Sequence, residues 1–401
     1  MGKKVLKIAI VVTLFTGFFI QYQRRSPKRH YSDFHMLYFT GKRFLESEPI
    51  YTFEGNISYY KYTPFYAFFI SPLALFSERT AASIWFVINV IFFLALLYCL
   101  KELIVKDKKR FHHYTLFYSL TVISCLRFII GNFHQGQSNI FMISLLFIGL
   151  YLMSRGRENA SAFFIAFSIL TKYMPVLFLP WLLGRKKFRL VTKIVIFIIV
   201  LTILPAFKIG ITGVLTLHKQ WISFLFKSSL DNYSTTCFPN QSLLACLNRF
   251  FSEHSIYSVN IFHLSNSLVY IIFFILALVL YILAIIPTKN RAYIMYDLSL
   301  ISICAGLFNP NAWKNFFIWL LPAYATVIYY LIYKKYKDKS VVILTAISFA
   351  LCTLTAEDLV KSFAGDYFEI YSSITIGALI LFFALLKLKF KSVKNEPETT
   401  N

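Results

Sequence analysis

Long apolar stretches recur through this chain, and they constrain its fold more than any other feature. A helix that crosses a bilayer needs roughly 20 apolar residues, and stretches of that kind recur between Val5 and Leu388. Hydrophobic residues make up 58% of the chain and charged residues only 15%, whereas a soluble domain carries about 25% charged residues. A soluble core has no room for so many apolar stretches. The sequence therefore predicts an all-α polytopic membrane protein.

The hydrophobic pattern predicts about twelve membrane segments. Two short ones, between 160 and 184, are too short to cross the hydrocarbon core as straight helices, because a helix rises only about 1.5 Å per residue. We interpret them as a hairpin that enters and leaves on the cytoplasmic side, with Lys172 and Pro175 at its turn. The segments lie near 5–21, 81–100, 114–131, 138–153, 160–171, 173–184, 190–206, 266–286, 293–309, 315–333, 341–356 and 371–388.

The positions of the basic residues predict the orientation of these segments. The net charge is +23, but the Lys and Arg residues form short clusters between apolar stretches, so a nucleic-acid partner is not expected. With a cytoplasmic N-terminus, nearly all clusters fall on the cytoplasmic side, as the positive-inside rule requires. The cluster from Arg24 to Arg29 disagrees with the rule. We expect a multi-pass protein of the cell (inner or plasma) membrane with both termini cytoplasmic.

This topology leaves two long loops, about 22–80 and 207–265, on the outer face of the membrane. The cytoplasmic connections are short and carry little besides basic residues, so we expect any chemistry on the outer face. The pattern predicts one multi-pass catalytic domain over residues 1–394. The polar residues 395–401 are predicted to be a disordered tail.

Two ionisable residues are the first candidates for chemistry. Asp33 lies close to the outer end of the first segment, where a carboxylate can accept a proton from a hydroxyl nucleophile. The alternative is a solvated loop carboxylate or a helix N-cap. Lys172 lies inside a membrane segment, where ionisable residues are costly and indicate function. It would suit an anionic phosphate, and snorkelling to the interface is the competing explanation.

Amide side chains accompany these residues on the predicted outer face. Gln137 and Asn139 offer hydrogen-bond donors and acceptors at the mouth of a segment, or else they belong to a helix cap. Asn240 and Gln241 precede an amphipathic stretch that suggests a helix docked at the interface. In that stretch Arg249 either binds phosphate through its fork of donors or meets lipid headgroups.

Several sequence motifs are absent. The chain has no P-loop, no G-x-S-x-G elbow and no H-E-x-x-H motif, so ATP-driven transport, serine hydrolysis and zinc proteolysis lack support. No cysteine or histidine spacing typical of a metal site occurs. Cys237 and Cys246 share one loop and would pair if that loop faced an oxidising compartment.

Taken in order, short stretches of this chain resemble the bacterial polytopic glycosyltransferases of family 87. This family belongs to the C-type glycosyltransferase superfamily and includes polyprenol-phosphate-mannose-dependent mannosyltransferases of phosphatidylinositol mannoside synthesis. The order of the stretches and their common predicted face carry the resemblance, since each motif alone is weak. The matching stretches are Ser32-Asp33-Phe34, Tyr62-Thr63-Pro64, Gly136-Gln137-Ser138-Asn139, Lys172-Tyr173-Met174-Pro175, Asn240-Gln241-Ser242-Leu243 with Arg249, and Trp313 before Leu320-Leu321-Pro322.

The resemblance implies a C-type glycosyltransferase fold with outward-facing loops and a hexosyltransferase activity. A sugar, mannose in the best-known relatives, would pass from a polyprenyl-phosphate-sugar donor to a lipid or glycan acceptor, as in glycolipid biosynthesis. Asp33 would be the general base, and no cofactor or metal is implied. Lys172, Arg249 and Lys314 would bind the donor phosphate. The expected substrate contacts are His35, Tyr62, Gln137, Asn139, Asn240, Gln241 and Trp313.

One stretch departs from the family pattern. The family tends to have a serine before the Trp and a histidine one or two places after it, whereas this chain has Ala312-Trp313-Lys314-Asn315. Lys314 could supply the positive charge in place of the histidine. The departure keeps a non-catalytic scaffold open as a hypothesis. The main alternative is a lipid-linked-sugar flippase or other secondary transporter, although such proteins often show internal repeats and charge pairs near the membrane midplane.

Overall fold

The computed structural model describes residues 33–51, 60–105, 111–229, 236–252, 259, 261–286, 294–333 and 338–394. The first predicted segment, near 5–21, and the predicted tail at 395–401 lie outside the described residues. Within the described ranges the regular structure is helical, with two isolated β-bridges and no strand. The prediction of an all-α chain is confirmed.

Eighteen α-helices are described, and they are numbered here in chain order. Short 3-10 turns lie at Ser71–Leu75, Met174–Leu177 and Lys314–Leu320, and a π-helical turn lies at Ala350–Leu354. The helices are α1 (Asp33–Glu46), α2 (Pro64–Ile70), α3 (Glu78–Ile104), α4 (Tyr114–Ser124), α5 (Leu126–Gln135), α6 (Asn139–Ser154), α7 (Glu158–Thr171), α8 (Phe178–Gly184), α9 (Phe188–Ile203), α10 (Ala206–Ser229), α11 (Leu243–Phe251), α12 (Asn266–Ile285), α13 (Ile294–Phe308), α14 (Leu321–Tyr333), α15 (Lys339–Phe349), α16 (Glu357–Val360), α17 (Ser362–Ile370) and α18 (Ser373–Lys394).

Among the described helices, four are long and apolar enough to cross a membrane: α3, α12, Lys314–Tyr333, which includes α14, and most of α18. The number rises to six if each of two bent pairs is one span, namely α4 with α5, bent by 65°, and α9 with α10, bent by 103°. Other predicted segments form helices of 10–17 residues. All of these fall short of a hydrocarbon core of about 30 Å at about 1.5 Å per residue. The predicted count of about twelve segments is therefore not confirmed.

The region predicted as an outer loop, about 207–265, contains helices α10 and α11. Helix α10 begins inside the span predicted at 190–206 and continues to Ser229. It was missed because Lys, Thr and Gly interrupt its apolar residues. Helix α11 carries the amphipathic stretch around Arg249, as predicted, and Ser242 caps it by accepting a hydrogen bond from the Ala245 amide at 3.0 Å.

The described residues belong to two compact units. Unit 1 takes them from Met1–Leu96, Ile129–Tyr173 and Thr192–Phe226. Its tightest packing joins α6 to α7, where a Cβ on Gly149 would come within 2.6 Å of Ile165 Cγ1. Ser168 of α7 also donates a hydrogen bond to the Met142 carbonyl oxygen at 2.7 Å. This close approach fixes the end of α7, from which Lys172 follows.

Unit 2 takes the described residues from Leu97–Phe128, Met174–Val191 and Lys227–Asn401. Helices α13 and α18 pack together in its interior, and an ionic cluster lies between them. Asp297 of α13 is fully buried and pairs with Arg185 at 2.6 Å and with Lys389 of α18 at 3.0 Å. Trp181 also donates a hydrogen bond to Asp297 at 3.0 Å. A buried carboxylate is tolerated here because two cations and an indole N–H surround it.

Candidate active site

In unit 1, a glycine turn presents two of the predicted amide side chains. Helix α5 ends with Gly136 at a φ of +61°. The Gln137 amide donates to the Asn132 carbonyl oxygen at 3.0 Å, and the Gly136 amide donates to that of Phe133 at 3.3 Å. This is the Schellman arrangement, in which glycine ends a helix without steric cost. The turn holds the side chain of Gln137 beside Asn139, the first residue of α6.

A second turn brings Tyr62 and Lys172 together. Thr63 begins α2 by accepting a hydrogen bond from the Tyr66 amide at 3.3 Å, and Pro64 is the first helical residue. The Thr63 hydroxyl also donates to the carbonyl oxygen of Leu170, near the end of α7. This contact explains why Lys172 Nζ lies 4.9 Å from the centre of the Tyr62 ring. The two stretches are far apart in sequence, so their contact is set by tertiary structure.

These turns and the start of α1 form a polar group that we name cluster 1: Asp33, Gln137, Asn139 and Lys172. Asp33 is the first helical residue of α1, half-buried, and accepts a side-chain hydrogen bond from Gln137. Lys172 Nζ donates to Asn139 Oδ1 at 2.7 Å. The Asn139 amide nitrogen donates in turn to Gln137 Oε1. Hydrogen-bonded amides thus connect the carboxylate and the ammonium group.

Opposing effects act on the carboxyl group of Asp33. Burial raises its pKa above the ordinary value, and the positive charge of Lys172 and the hydrogen bond from Gln137 lower it in part. A carboxylate with a raised pKa is a stronger base than an exposed one. Cluster 1 can therefore accept a proton from a hydroxyl group at Asp33 and hold a negative charge near Lys172.

The remaining predicted residues of unit 1 lie at different distances from cluster 1. Tyr62 contacts it directly through Lys172, and its ring stacks on Tyr66 with centroids 5.1 Å apart. His35 is two residues from Asp33 on α1, but its Nδ1 lies 2.8 Å from Glu78 Oε1. The structure therefore pairs His35 with a second carboxylate, that of Glu78.

In unit 2, the predicted amides of Asn240 and Gln241 organise a loop. Asn240 Nδ2 donates to the Pro310 carbonyl oxygen at 2.6 Å, and the Gln241 amide donates to that of Ala312 at 2.9 Å. Gln241 Nε2 also donates to the carbonyl oxygen of Glu369 at 2.7 Å. These bonds hold the loop before Trp313, whose side chain is about half exposed.

Arg249 of α11 is fully buried, and protein oxygen atoms surround its guanidinium group. NH1 donates to the carbonyl oxygens of Cys237 and Asn240 at 3.0 and 2.8 Å. Nε donates to the Ile370 carbonyl oxygen at 3.1 Å, and NH2 donates to Ser372 Oγ at 2.7 Å. This geometry is that of a structural arginine joining two loops. Phosphate binding by Arg249 stays a prediction, and it would require these bonds to be exchanged.

Lys314 belongs to a charged group that we name cluster 2: Arg127, Lys314, Glu357 and Glu369. The Glu369 carboxylate is fully buried, accepts a hydrogen bond from Arg127 NH2 and lies 3.1 Å from Lys314 Nζ. Lys314 also contacts Glu357. Two carboxylates therefore already balance the charge of the predicted phosphate ligand, whose role stays a prediction.

Burial raises the pKa of the Glu369 carboxyl group, and the charges of Lys314 and Arg127 lower it in part. Its Oε2 and the nearby Gln241 Oε1 are buried without a hydrogen-bond partner among the described residues. A carboxylate oxygen of cluster 2 and the neighbouring amide oxygen of Gln241 are thus able to accept further hydrogen bonds.

The sequence analysis did not assign roles to Arg127, Glu357, Glu369 and Asn132. Asn132 Oδ1 accepts a hydrogen bond from Asn139 at 3.0 Å and so supports cluster 1. A charge inside an apolar stretch is the one signal that could have identified Arg127. The two glutamates fall in a polar turn with no motif of their own. Cys237 and Cys246, which the sequence allowed to pair, are both free thiols.

Comparison with known proteins identifies a family whose members resemble this chain over most of its length. The model of glycosyltransferase family 87 matches residues 60–310, which is more than half of the 401 residues. No curated protein matches the chain. The family predicted from the motifs is confirmed. The matched region includes Tyr62, Gln137, Asn139, Lys172, Asn240, Gln241 and Arg249, whereas Asp33, His35, Trp313 and Lys314 lie outside it.

Proposed function

The chain belongs to glycosyltransferase family 87, and from this premise we propose that it transfers a sugar from a polyprenyl-phosphate-sugar donor to a lipid or glycan acceptor. The family and the apolar helices support a membrane glycosyltransferase. Cluster 1 carries the finer proposal. It places the carboxylate of Asp33 and the ammonium group of Lys172 within one network of amide side chains.

In the proposed reaction, the Asp33 carboxylate removes the proton from the acceptor hydroxyl group. The resulting oxygen attacks the anomeric carbon of the donor sugar. The bond between that carbon and the phosphate oxygen breaks as the new glycosidic bond forms, so the anomeric configuration inverts. The lipid phosphate leaves with the bonding electron pair, and a nearby cation stabilises its negative charge.

Among the three predicted phosphate ligands, Lys172 is favoured by its surroundings. Its Nζ donates to Asn139 and lies over the Tyr62 ring, and it interacts electrostatically with the carboxylate of Asp33. Arg249 already has four oxygen partners, and Lys314 contacts two carboxylates. We therefore assign the leaving phosphate to Lys172, with Gln137 and Tyr62 beside the transferred sugar.

The proposal includes the site of action. Outward-facing loops would receive a donor from the outer leaflet of the cell membrane, with the termini cytoplasmic. Mannose is the sugar we propose, on the strength of the relatives that the motifs resemble. The product would be a glycolipid or a lipid-linked glycan, and the single multi-pass domain would perform the whole reaction.

The test uses the purified full-length protein and a panel of polyprenyl-phosphate sugars, with release of free lipid phosphate as the measurement. We expect turnover with one donor, and a loss of about 100- to 10,000-fold in Asp33→Asn, the range typical of removing a general base. The thermal stability of Asp33→Asn should not fall, because the neutral amide is less costly to bury than the carboxylate.

Glu46→Gln is the matched control, because it removes a carboxylate from the same helix at an exposed position. It should turn over like the wild type. Full activity in Asp33→Asn would overturn the assigned base. Donor accumulation inside sealed vesicles without lipid-phosphate release would instead support a transporter.

A further inference from the structure

Helix α10 leaves the preceding helix at a sharp angle. Helices α9 and α10 are bent by 103°, with Pro205 at the break and Gly210 in a non-helical conformation with a φ of +68°. Pro cannot donate the backbone hydrogen bond that would continue a helix. Helix α10 therefore runs roughly perpendicular to the apolar helix α9.

Around residues 211–226, α10 has three distinct faces. The first packs against other parts of unit 1 and includes the buried side chains of Val214 and Phe224. The second is exposed and apolar, with residues at spacings of four, seven and four that fall on one face of a helix with 3.6 residues per turn: Ile211, Leu215, Ile222 and Phe226. The third is exposed and polar: Thr212, Thr216, Lys219, Gln220 and Ser223.

Helix α12 provides the internal comparison. From Leu268 to Ile282 its exposed side chains are all apolar, as expected of a helix surrounded by lipid. The exposed surface of α10 is divided lengthwise instead, and it includes Lys219 and Gln220. A helix spanning the hydrocarbon core would expose these two groups to lipid at a substantial cost. The divided surface is the pattern of a helix that lies in the plane of the interface.

Contacts on the packed face fix the rotation of the helix. Trp221 Nε1 donates to the carbonyl oxygen of Lys61 at 3.2 Å. The ring of Phe224 lies 6.1 Å from that of Tyr51. Because these contacts anchor one face to unit 1, the apolar and polar faces keep constant directions.

We propose that residues 211–226 of α10 form an in-plane helix at the membrane–water interface, with a lipid bilayer as its partner. The apolar face contacts acyl chains, and the polar face contacts headgroups and water. Lys219 lies on the border between the two faces, where its stem can cross apolar surface while its ammonium group reaches anionic headgroups. This inference concerns the position of the protein in the membrane and does not depend on the proposed reaction.

The test is spin labelling of single introduced cysteines in the full chain, reconstituted in bilayers of phosphatidylglycerol and phosphatidylethanolamine. Five of the six native cysteines are buried, and Cys246 is replaced by serine. Labels go to Leu215 and Phe226 on the apolar face, and to Thr216 and Gln220 on the polar face. Leu278, exposed on α12, serves as the reference for the hydrocarbon core. Collisions with oxygen report lipid, and collisions with a water-soluble nickel chelate report water.

We expect labels at Leu215 and Phe226 to collide at least several-fold more with oxygen than with the nickel chelate, and labels at Thr216 and Gln220 to show the reverse. Leu278 should be the deepest position. Three results would overturn the proposal. They are water contact on both faces, protection of the apolar face from both reagents, as a second protein copy would produce, and a polar face as deep as Leu278, as a spanning helix would produce.

Discussion

Clusters 1 and 2 contain similar charges but differ in how those charges are connected. In cluster 1, Asp33 is hydrogen-bonded to Gln137 and Lys172 to Asn139, and the two amides are hydrogen-bonded to each other. These amides can exchange hydrogen bonds with a substrate. In cluster 2, Arg127 and Lys314 contact the buried carboxylate of Glu369 directly. The amides of cluster 1 place hydrogen-bond donors and acceptors beside its charges, whereas the buried ion pairs of cluster 2 hold its charges within the fold. The sequence singled out residues of both clusters, and this contrast in contacts separates their expected roles.

The largest effect on stability is expected in cluster 2. Arg127→Met should lower the free energy of unfolding by about 3–5 kcal/mol, because it removes one partner of a buried charge. Burial already raises the pKa of Glu369, and the loss of Arg127 should raise it further. Protonation then relieves the buried charge, so the destabilisation should grow as pH rises through that pKa. Thermal unfolding in detergent at several pH values measures this.

Lys391→Met is the control for Arg127→Met, because it removes an exposed lysine whose partner, Asp338, keeps a second ion pair with Lys387. Exposed pairs contribute little to stability, so this variant should unfold close to the wild type. An Arg127→Met protein as stable as Lys391→Met would show that cluster 2 does not hold unit 2 together.

A smaller effect is expected for Arg249→Lys. Lysine cannot reproduce the guanidinium fork, so some of the oxygens of Cys237, Asn240, Ile370 and Ser372 would lose their donor. We expect a loss of about 2 kcal/mol, with sugar transfer well below the melting temperature unchanged within a few-fold. Arg79→Lys, at an exposed position, should leave both properties unchanged. A raised KM for the donor with unchanged stability would instead make Arg249 a phosphate ligand.

The finest test of the comparison is the pH dependence of Lys172→Met. The charge of Lys172 lowers the pKa of Asp33, so its removal should raise that pKa further. A general base acts in its ionised form, and the acid limb of the kcat/KM profile should therefore move to higher pH. Lys42→Met removes a lysine from an exposed position on α1, the helix that begins at Asp33, and should not shift the acid limb. An unchanged profile in Lys172→Met would separate Lys172 from Asp33.

Sequence reasoning succeeded where the signal is local. The break at Lys172 lies between two short helices, and the amphipathic stretch around Arg249 is a helix that begins after Ser242. Helix-starting residues and interrupted apolar stretches act over a few residues. The same kind of reasoning missed α10 because three faces with different neighbours cannot be distinguished from one hydrophobicity pattern.

The sequence could not predict the long-range contacts that decide the roles. The partners of Arg249 include Ile370 and Ser372, more than 100 residues away. Lys314 lies between carboxylates that no motif marks. A basic residue in a polar stretch has the same sequence signature whether it awaits a phosphate or stabilises a loop. Only the contacts of its charged atoms distinguish the two.

The buried ionic cluster around Asp297 has a consequence for the order of assembly. Arg185 precedes Asp297 in the chain, whereas Lys389 follows it. When Asp297 is synthesised, Arg185 is therefore already part of the chain, whereas Lys389 has not yet been added. Lys389 of α18 is buried beside that carboxylate and also donates to the carbonyl oxygens of Leu283 and Ala284. The full set of charge partners of Asp297 therefore forms only after α18 has been synthesised.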